Sequence, residues 1–215
     1  DTNKDQSYVL WGLTQESLKR TIFPLQNFRK SEIKQMAIDN GYVDLANKSE
    51  SYEICFVPDN DYRGFLKRKV DGLEERVAGG NFVDRTGRVL GKHKGYPFYT
   101  IGQRKGLEIA VGEPLHVLEI VPETNTVVLG TKEDLEQQQM IVGKYNLIKY
   151  ASIPDNMELL TKIRYKDAGS LATVSHLNDK LNVLFHNPVS AVAPGQSAVF
   201  YEGEDLVGGG IIERQ

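Results

Sequence analysis

The sequence predicts an α+β fold that is mostly β: a short helical stretch, a small β-rich middle and a C-terminal β-barrel. Three observations carry this. Helix-capping patterns are confined to the first third of the chain. Beyond it, short apolar runs alternate with glycine turns. In the last part such runs recur at roughly 10-residue spacing, the signature of a small barrel or sandwich. The predicted parts are 1–66, 67–130 and 131–215.

In chain order, Thr14 is placed to cap a helix through QESLKR, and Ser31 to cap a second, SEIKQMAIDNGY, with Glu32 in its first turn. Ile33, Met36 and Ala37 share a face of that helix, Gly41 is its stop, and Pro24 separates the two helices. FLKRKV reads as a short helical segment. GNFVDRTGRVLG and YPFYTIG read as β-rich runs, and VLEIVPETNTVVLG as a hairpin with a polar turn. The runs LTKIRYKD, LATVSHLND, KLNVLFHNPVSAV and QSAVFYEGEDLVGGGII supply the barrel strands. Pro194 and Gly195 fit a turn, and the glycines at 208–210 mark a bend or a close backbone approach.

Composition narrows the function classes. The 215 residues are 40% apolar and 26% charged, ordinary for a soluble globular chain. No apolar run is long enough to cross a bilayer, and DTNKDQSY is no signal peptide, so a cytoplasmic, non-membrane protein is expected. The single cysteine permits no internal disulfide, and with four scattered histidines it gives no zinc-like spacing. It cannot hold an iron–sulfur cluster alone. No glycine-rich phosphate loop and no Ser-His-Asp signature is present, so the chain does not read as a complete enzyme. It starts at Asp1 and reads as part of something longer.

The net charge of −3 argues against a protein coated with nucleic acid, but local patches matter more than the sum. RTGRVLGKHKGYPFYTIGQRKGL, residues 85–107, carries Arg85, Arg88, Lys92, Lys94, Arg104 and Lys105 and no acid. Arg63, Lys67, Arg68 and Lys69 precede it. Cations bind phosphates, rings stack on unpaired bases, and glycines admit a close ligand. The alternative is a solvated, turn-rich β edge. His93 by itself reads as structural. Cys55, in the apolar run Ile54–Phe56, is either a small buried hydrophobe or a nucleophile.

Several stretches together resemble one family. KDQSYVL (4–10), EICF (53–56), GKHKGYPFYTIGQRKGL (91–107), TKIRYKD (161–167), PVSAVAPGQSAVFY (188–201) and GGGII (208–212) are similar to the tRNA-specific 2-thiouridylases, in the family's order and over essentially the whole chain. The resemblance implies the C-terminal portion of such an enzyme: the tail of an ATP-pyrophosphatase domain (1–66), a central tRNA-binding domain (67–130) and a β-barrel domain (131–215). The family's SGGVDS-type phosphate loop and first catalytic cysteine are absent here. In the family, ATP with Mg²⁺ adenylates the 2-oxygen of the wobble uridine, and a cysteine persulfide delivers sulfur to the activated carbon. That cysteine falls at Cys55. An upstream cysteine is its partner, releasing sulfide or closing a disulfide. The resemblance also implicates Lys4, Asp5 and Gln6, then Arg164 and Tyr165, then Gln196, as tRNA contacts. Gln103, Arg104 and Lys105 are added from charge and position. Where the family reads D-S-x-x-I-C-F, often with T-G at the variable pair, this chain has Glu50, Ser51, Tyr52 and Glu53, so no glycine stands beside the nucleophile.

The implied protein is a monomeric tRNA-uridine 2-sulfurtransferase supplied by a sulfur-donor protein, and this portion alone is expected to be catalytically silent. The alternative is a non-catalytic RNA-binding module with a translation-factor-like barrel and a structural Cys55. The sequence preceding Asp1 in the gene distinguishes them. A barrel that only mediates protein contacts leaves the cation–aromatic stretch unexplained.

Overall fold

A computed structural model describes residues 5–48, 57, 59 and 61–214. Lys4 and Cys55 lie outside the described residues.

The C-terminal part closes into a six-stranded antiparallel barrel. Its strands are β5 (Glu136–Leu147), β6 (Met157–Lys162), β7 (Ser170–Leu177), β8 (Lys180–Ser190), β9 (Ser197–Glu202) and β10 (Asp205–Ile212), ordered β10-β5-β8-β7-β6-β9. Alternation fills it: Ala172 and Val174 from β7, and Leu181, Val183 and Phe185 from β8, point inward with Met140, Val142, Leu159 and Phe200. Burying each larger apolar side chain stabilises the fold by about 1.5–3 kcal/mol. Closure leaves no unpaired sheet edge.

The middle part is a four-stranded sheet of β1 (Asn81–Val83), β2 (Val89–Lys92), β3 (His116–Val121) and β4 (Thr126–Gly130), ordered β2-β1-β4-β3. β1 runs parallel to β4, and the other pairs are antiparallel. The β3–β4 hairpin stands where the sequence puts it, turning through Asn125 at φ 48°. Phe82, Val117, Val127 and Leu129 form the core with Phe98, Tyr99 and Leu107.

The helices are short. Thr14 caps α1 (Gln15–Arg20), its hydroxyl accepting from the Ser17 amide at 3.1 Å. The second, α2 (Lys30–Asp39), begins earlier than expected. Ser31 lies inside it, because the Glu32 carboxylate reaches back to the Arg29 amide at 2.5 Å and sets the start there. Gly41 ends this helix, and of the expected apolar face Met36 is exposed. Then follow α3 (Val43–Asn47), α4 (Tyr62–Lys69) and α5 (Leu73–Val77). α4 runs through residues 66 and 67, where the sequence places a boundary, and its Leu66 packs on the middle core. No helix of the described residues is long and apolar enough to cross a membrane.

YPFYTIG is not a strand. Tyr96–Phe98 form a 3-10 turn and the loop continues through Gly102, because Pro97 cannot donate to a ladder and Gly95 and Gly102 hold positive φ. His93 anchors this loop. The Gly95 amide donates to its Nδ1 at 3.0 Å, so the proton sits on Nε2, which faces the Asn125 carbonyl at 3.1 Å. Burial pushes its pKa below the ordinary histidine value. His93 is therefore a neutral structural brace, packed edge-on against Phe82.

Candidate nucleic-acid interface

The N-terminal segment lies on the barrel. The 3-10 turn Ser7–Gly12 packs against β5 and β10. Asn146 on β5 donates its amide to the carbonyls of Trp11 at 2.7 Å and Leu13 at 2.9 Å. Trp11 Nε1 donates to Ser197 Oγ at 3.1 Å, and Tyr8 Oη donates to the Ser197 carbonyl at 2.7 Å. The glycine run of β10 makes this possible. A Cβ at Gly209 would stand 2.8 Å from Trp11 Cγ and 2.7 Å from the Ala198 carbonyl oxygen. The glycines at 208–210 are thus a close approach, one of the two readings their sequence allows.

This docking sets Asp5 and Gln6 at the barrel rim, both exposed. Asp5 is fixed by Ser7, whose amide donates to Oδ1 at 2.8 Å and whose hydroxyl donates to Oδ2 at 2.9 Å. The Ser7 hydroxyl also lies 3.1 Å from Tyr201 Oη. Tyr8 meets Tyr165 edge-on, with ring centroids 6.3 Å apart. Burial, with the Asp167 charge second, pushes the Tyr8 phenol up to about 12, so it stays a neutral donor at neutral pH.

Arg164 and Tyr165 stand on the tight turn after β6. Asp167 braces it, accepting from the amides of Ile163 at 3.0 Å and Gly169 at 3.1 Å. Arg164 reaches across to the Ser190 carbonyl at 3.4 Å. The next residue, Ala191, holds φ 60° and faces the middle sheet's loop: a Cβ on Gly102 would stand 3.0 Å from the Ala191 methyl. Gln196 is exposed at the end of the Pro194–Gly195 turn, beside Ser197.

The TIGQRKG loop is rigidly built. The Gly102 amide donates to the Val117 carbonyl at 2.8 Å, and the Val117 amide to the Gln103 carbonyl at 2.9 Å. The Gln103 side chain closes the loop from inside: Oε1 accepts from the Thr100 amide at 3.1 Å and Nε2 donates to the Lys105 carbonyl at 2.9 Å. Arg104 and Lys105 project from it, exposed.

The structure also sorts the cations of the basic stretch. Arg85 pairs with Asp134, Arg88 with Asp84 and Lys94 with Glu108, and Lys92 donates to the Gly79 carbonyl. Those four support local structure. Arg104 and Lys105 make no ion pair among the described residues.

Asp5, Gln6, Gln103, Arg104, Lys105, Arg164, Tyr165 and Gln196 therefore belong to one connected rim, linked through Ser7, Tyr8, Ser197, Ser190 and Ala191. Sequence reasoning missed these linking residues. Their signal was present, since SYVLW follows KDQ directly and SAVA precedes PGQ, but apolar and small residues carry no mark of what they touch. The described residues contain no cluster of three or more His, Cys, Asp or Glu able to hold a metal.

Three family models match in chain order: a tRNA methyl transferase HUP domain over residues 1–59, a tRNA methyl transferase PRC-barrel domain over 64–131 and an aminomethyltransferase beta-barrel domain over 137–212. Curated relatives include the tRNA-specific 2-thiouridylases MnmA of Cytophaga hutchinsonii, 56% identical, Amoebophilus asiaticus, 55%, and Salinibacter ruber, 53%. Each match covers 99% of this chain, which spans 58%, 57% and 56% of those relatives respectively. With relatives more than half identical along almost its entire length, the chain belongs to the family of the tRNA-specific 2-thiouridylases.

Proposed function

We propose that this chain is the RNA-holding portion of a tRNA-uridine 2-sulfurtransferase. The observation that supports this reading best is the connected rim. Two cations with no ion pair among the described residues, an exposed tyrosine, an arginine and exposed amide side chains come from four separate stretches that are linked by contacts along it. Cations of that kind hold phosphates, and the tyrosine offers a ring to an unpaired base. The proposed contacts are Lys4, Asp5, Gln6, Arg104, Lys105, Arg164, Tyr165 and Gln196. Gln103 is in the group as the residue that holds the loop, since both ends of its amide are engaged within it.

In the complete protein the proposed reaction replaces the 2-oxygen of the wobble uridine with sulfur carried as a persulfide on Cys55. ATP with Mg²⁺ supplies the activation. The residues here do not fit that pair: no glycine-rich phosphate loop is in the sequence and no acidic metal cluster is among the described residues. Activation is therefore assigned to other parts of the protein, and this chain alone is proposed to be inactive. A sulfur-donor protein, a monomeric state and a cytoplasmic setting complete the proposal.

The test is binding of unmodified tRNA to the full-length protein as salt is varied. Neutralising Arg104 and Lys105 together, as Arg104→Gln with Lys105→Gln, is expected to lower the slope of log affinity against log salt by about 1.5, close to the loss of two phosphate contacts. Affinity at low salt is expected to fall roughly tenfold or more. Absent or salt-independent tRNA binding by the wild-type protein contradicts the proposal.

A further inference from the structure

Four cations of the described residues lie over aromatic rings. Lys67 sits over Phe98, Lys149 over Tyr150, Arg63 over Tyr99 and Lys162 over Tyr201. The first two are neutralised, Lys67 by Glu74 and Lys149 by Glu202 and Asp205. Arg63 and Lys162 make no ion pair among the described residues. These two border the rim described above; Lys149 also shares a pocket with Ser7, but its charge is taken up by Glu202 and Asp205.

Lys162 ends β6, two residues before Arg164. Its Nζ stands 5.1 Å from the centre of the Tyr201 ring, and the Tyr201 hydroxyl meets Ser7, which holds Asp5. Arg63 projects from α4 to the other end of the rim. Its guanidinium stands 5.6 Å from the centre of the Tyr99 ring and, among the described residues, donates to the Phe98 carbonyl at 3.4 Å. A Cβ on Gly106, next to Lys105, would be 4.0 Å from Arg63 Nη2. A ring under a cation fixes its position while leaving donors free. Arginine has five N–H donors and lysine three, so both groups retain capacity toward an anion. If packing were their whole purpose, an uncharged side chain would serve as well in these half-buried positions.

We propose that Arg63 and Lys162 are phosphate contacts for RNA, one at each end of the rim, held ready by Tyr99 and Tyr201. The inference rests on the RNA-binding reading above and extends it to two residues that are not among the contacts proposed there. The polyanion's backbone would then run from α4, past Arg104 and Lys105, to the β6 end and the Asp5 segment.

The test uses the full-length protein and unmodified tRNA, with affinity measured across a salt series. Arg63→Met and Lys162→Met keep an apolar stem on the ring and remove the charge. Each is expected to lower the salt slope by about 0.7–0.9, so that affinity loss between 50 and 200 mM salt shrinks by about threefold. Arg63→Lys and Lys162→Arg are expected to restore the slope. Methionine variants with the wild-type slope overturn the proposal, whether or not affinity falls, because an uncharged brace leaves the slope unchanged. A wild-type protein whose tRNA binding ignores salt overturns the functional reading itself, and this inference with it.

Discussion

A Cys55→Ser variant of the full-length protein is expected to leave its tRNA without 2-thiouridine, a loss on the order of 10³-fold or more. Serine matches cysteine in shape but cannot carry a second sulfur as a persulfide, so the variant removes the carrier and little else. Consumption of ATP in the presence of tRNA is expected to persist, since activation of the uridine oxygen precedes sulfur transfer. Mass spectrometry of digested nucleosides reads the product, and released pyrophosphate reads the first step. Thiolation at the wild-type level by the serine variant would make Cys55 a packing residue. The expectation is chemical: the carbonyl carbon needs a polarizable nucleophile, and this is the chain's single cysteine.

The second large effect is expected in the barrel. Gly209→Val puts a branched side chain where even one Cβ stands 2.7 Å from the Ala198 carbonyl and 2.8 Å from Trp11 Cγ. The indole must leave to relieve the second contact, and because the carbonyl belongs to the barrel ladder, the β9–β10 pairing must shift locally to relieve the first. Overpacking of this kind costs about 1–3 kcal/mol. Loss of the Trp11–Ser197 and Asn146–Trp11 hydrogen bonds adds to it. The barrel has a separate core and should stay folded, while the Asp5 segment comes loose. Trp11 is the chain's only tryptophan, so its fluorescence is expected to shift red. Affinity of the full-length protein for tRNA is expected to fall roughly tenfold, about 1.4 kcal/mol. Gly12→Ala, whose added Cβ meets nothing within 4 Å, is expected to change neither readout. An unshifted Trp11 spectrum in Gly209→Val would contradict the docking described here.

The barrel strands were legible because period-2 alternation and polar turns are local properties. Thr14 was legible for the same reason, since its capping bond spans three residues. Ser31 misled because serine is also tolerated inside a first turn, and Glu32 found an earlier amide. YPFYTIG misled because aromatic and β-branched residues suit strands, whereas Gly95, Pro97 and Gly102 decided the backbone. The motif residues were visible singly, but their assembly was not. Tyr8 meets Ser197 across 189 positions, and Arg85 meets Asp134 across 49. No local pattern reports such pairings, so the sequence could not separate the cations held in ion pairs from Arg104 and Lys105.

The central claim is that four distant stretches form one RNA-binding face. Hydrogen–deuterium exchange of the full-length protein, with and without unmodified tRNA, tests it most directly. The account predicts added protection together at residues 5–8, 100–106, 162–167 and 190–197, and none at the β7–β8 turn around Asn178 and Asp179. Protection confined to one of these stretches, or centred on the β7–β8 turn, would contradict it.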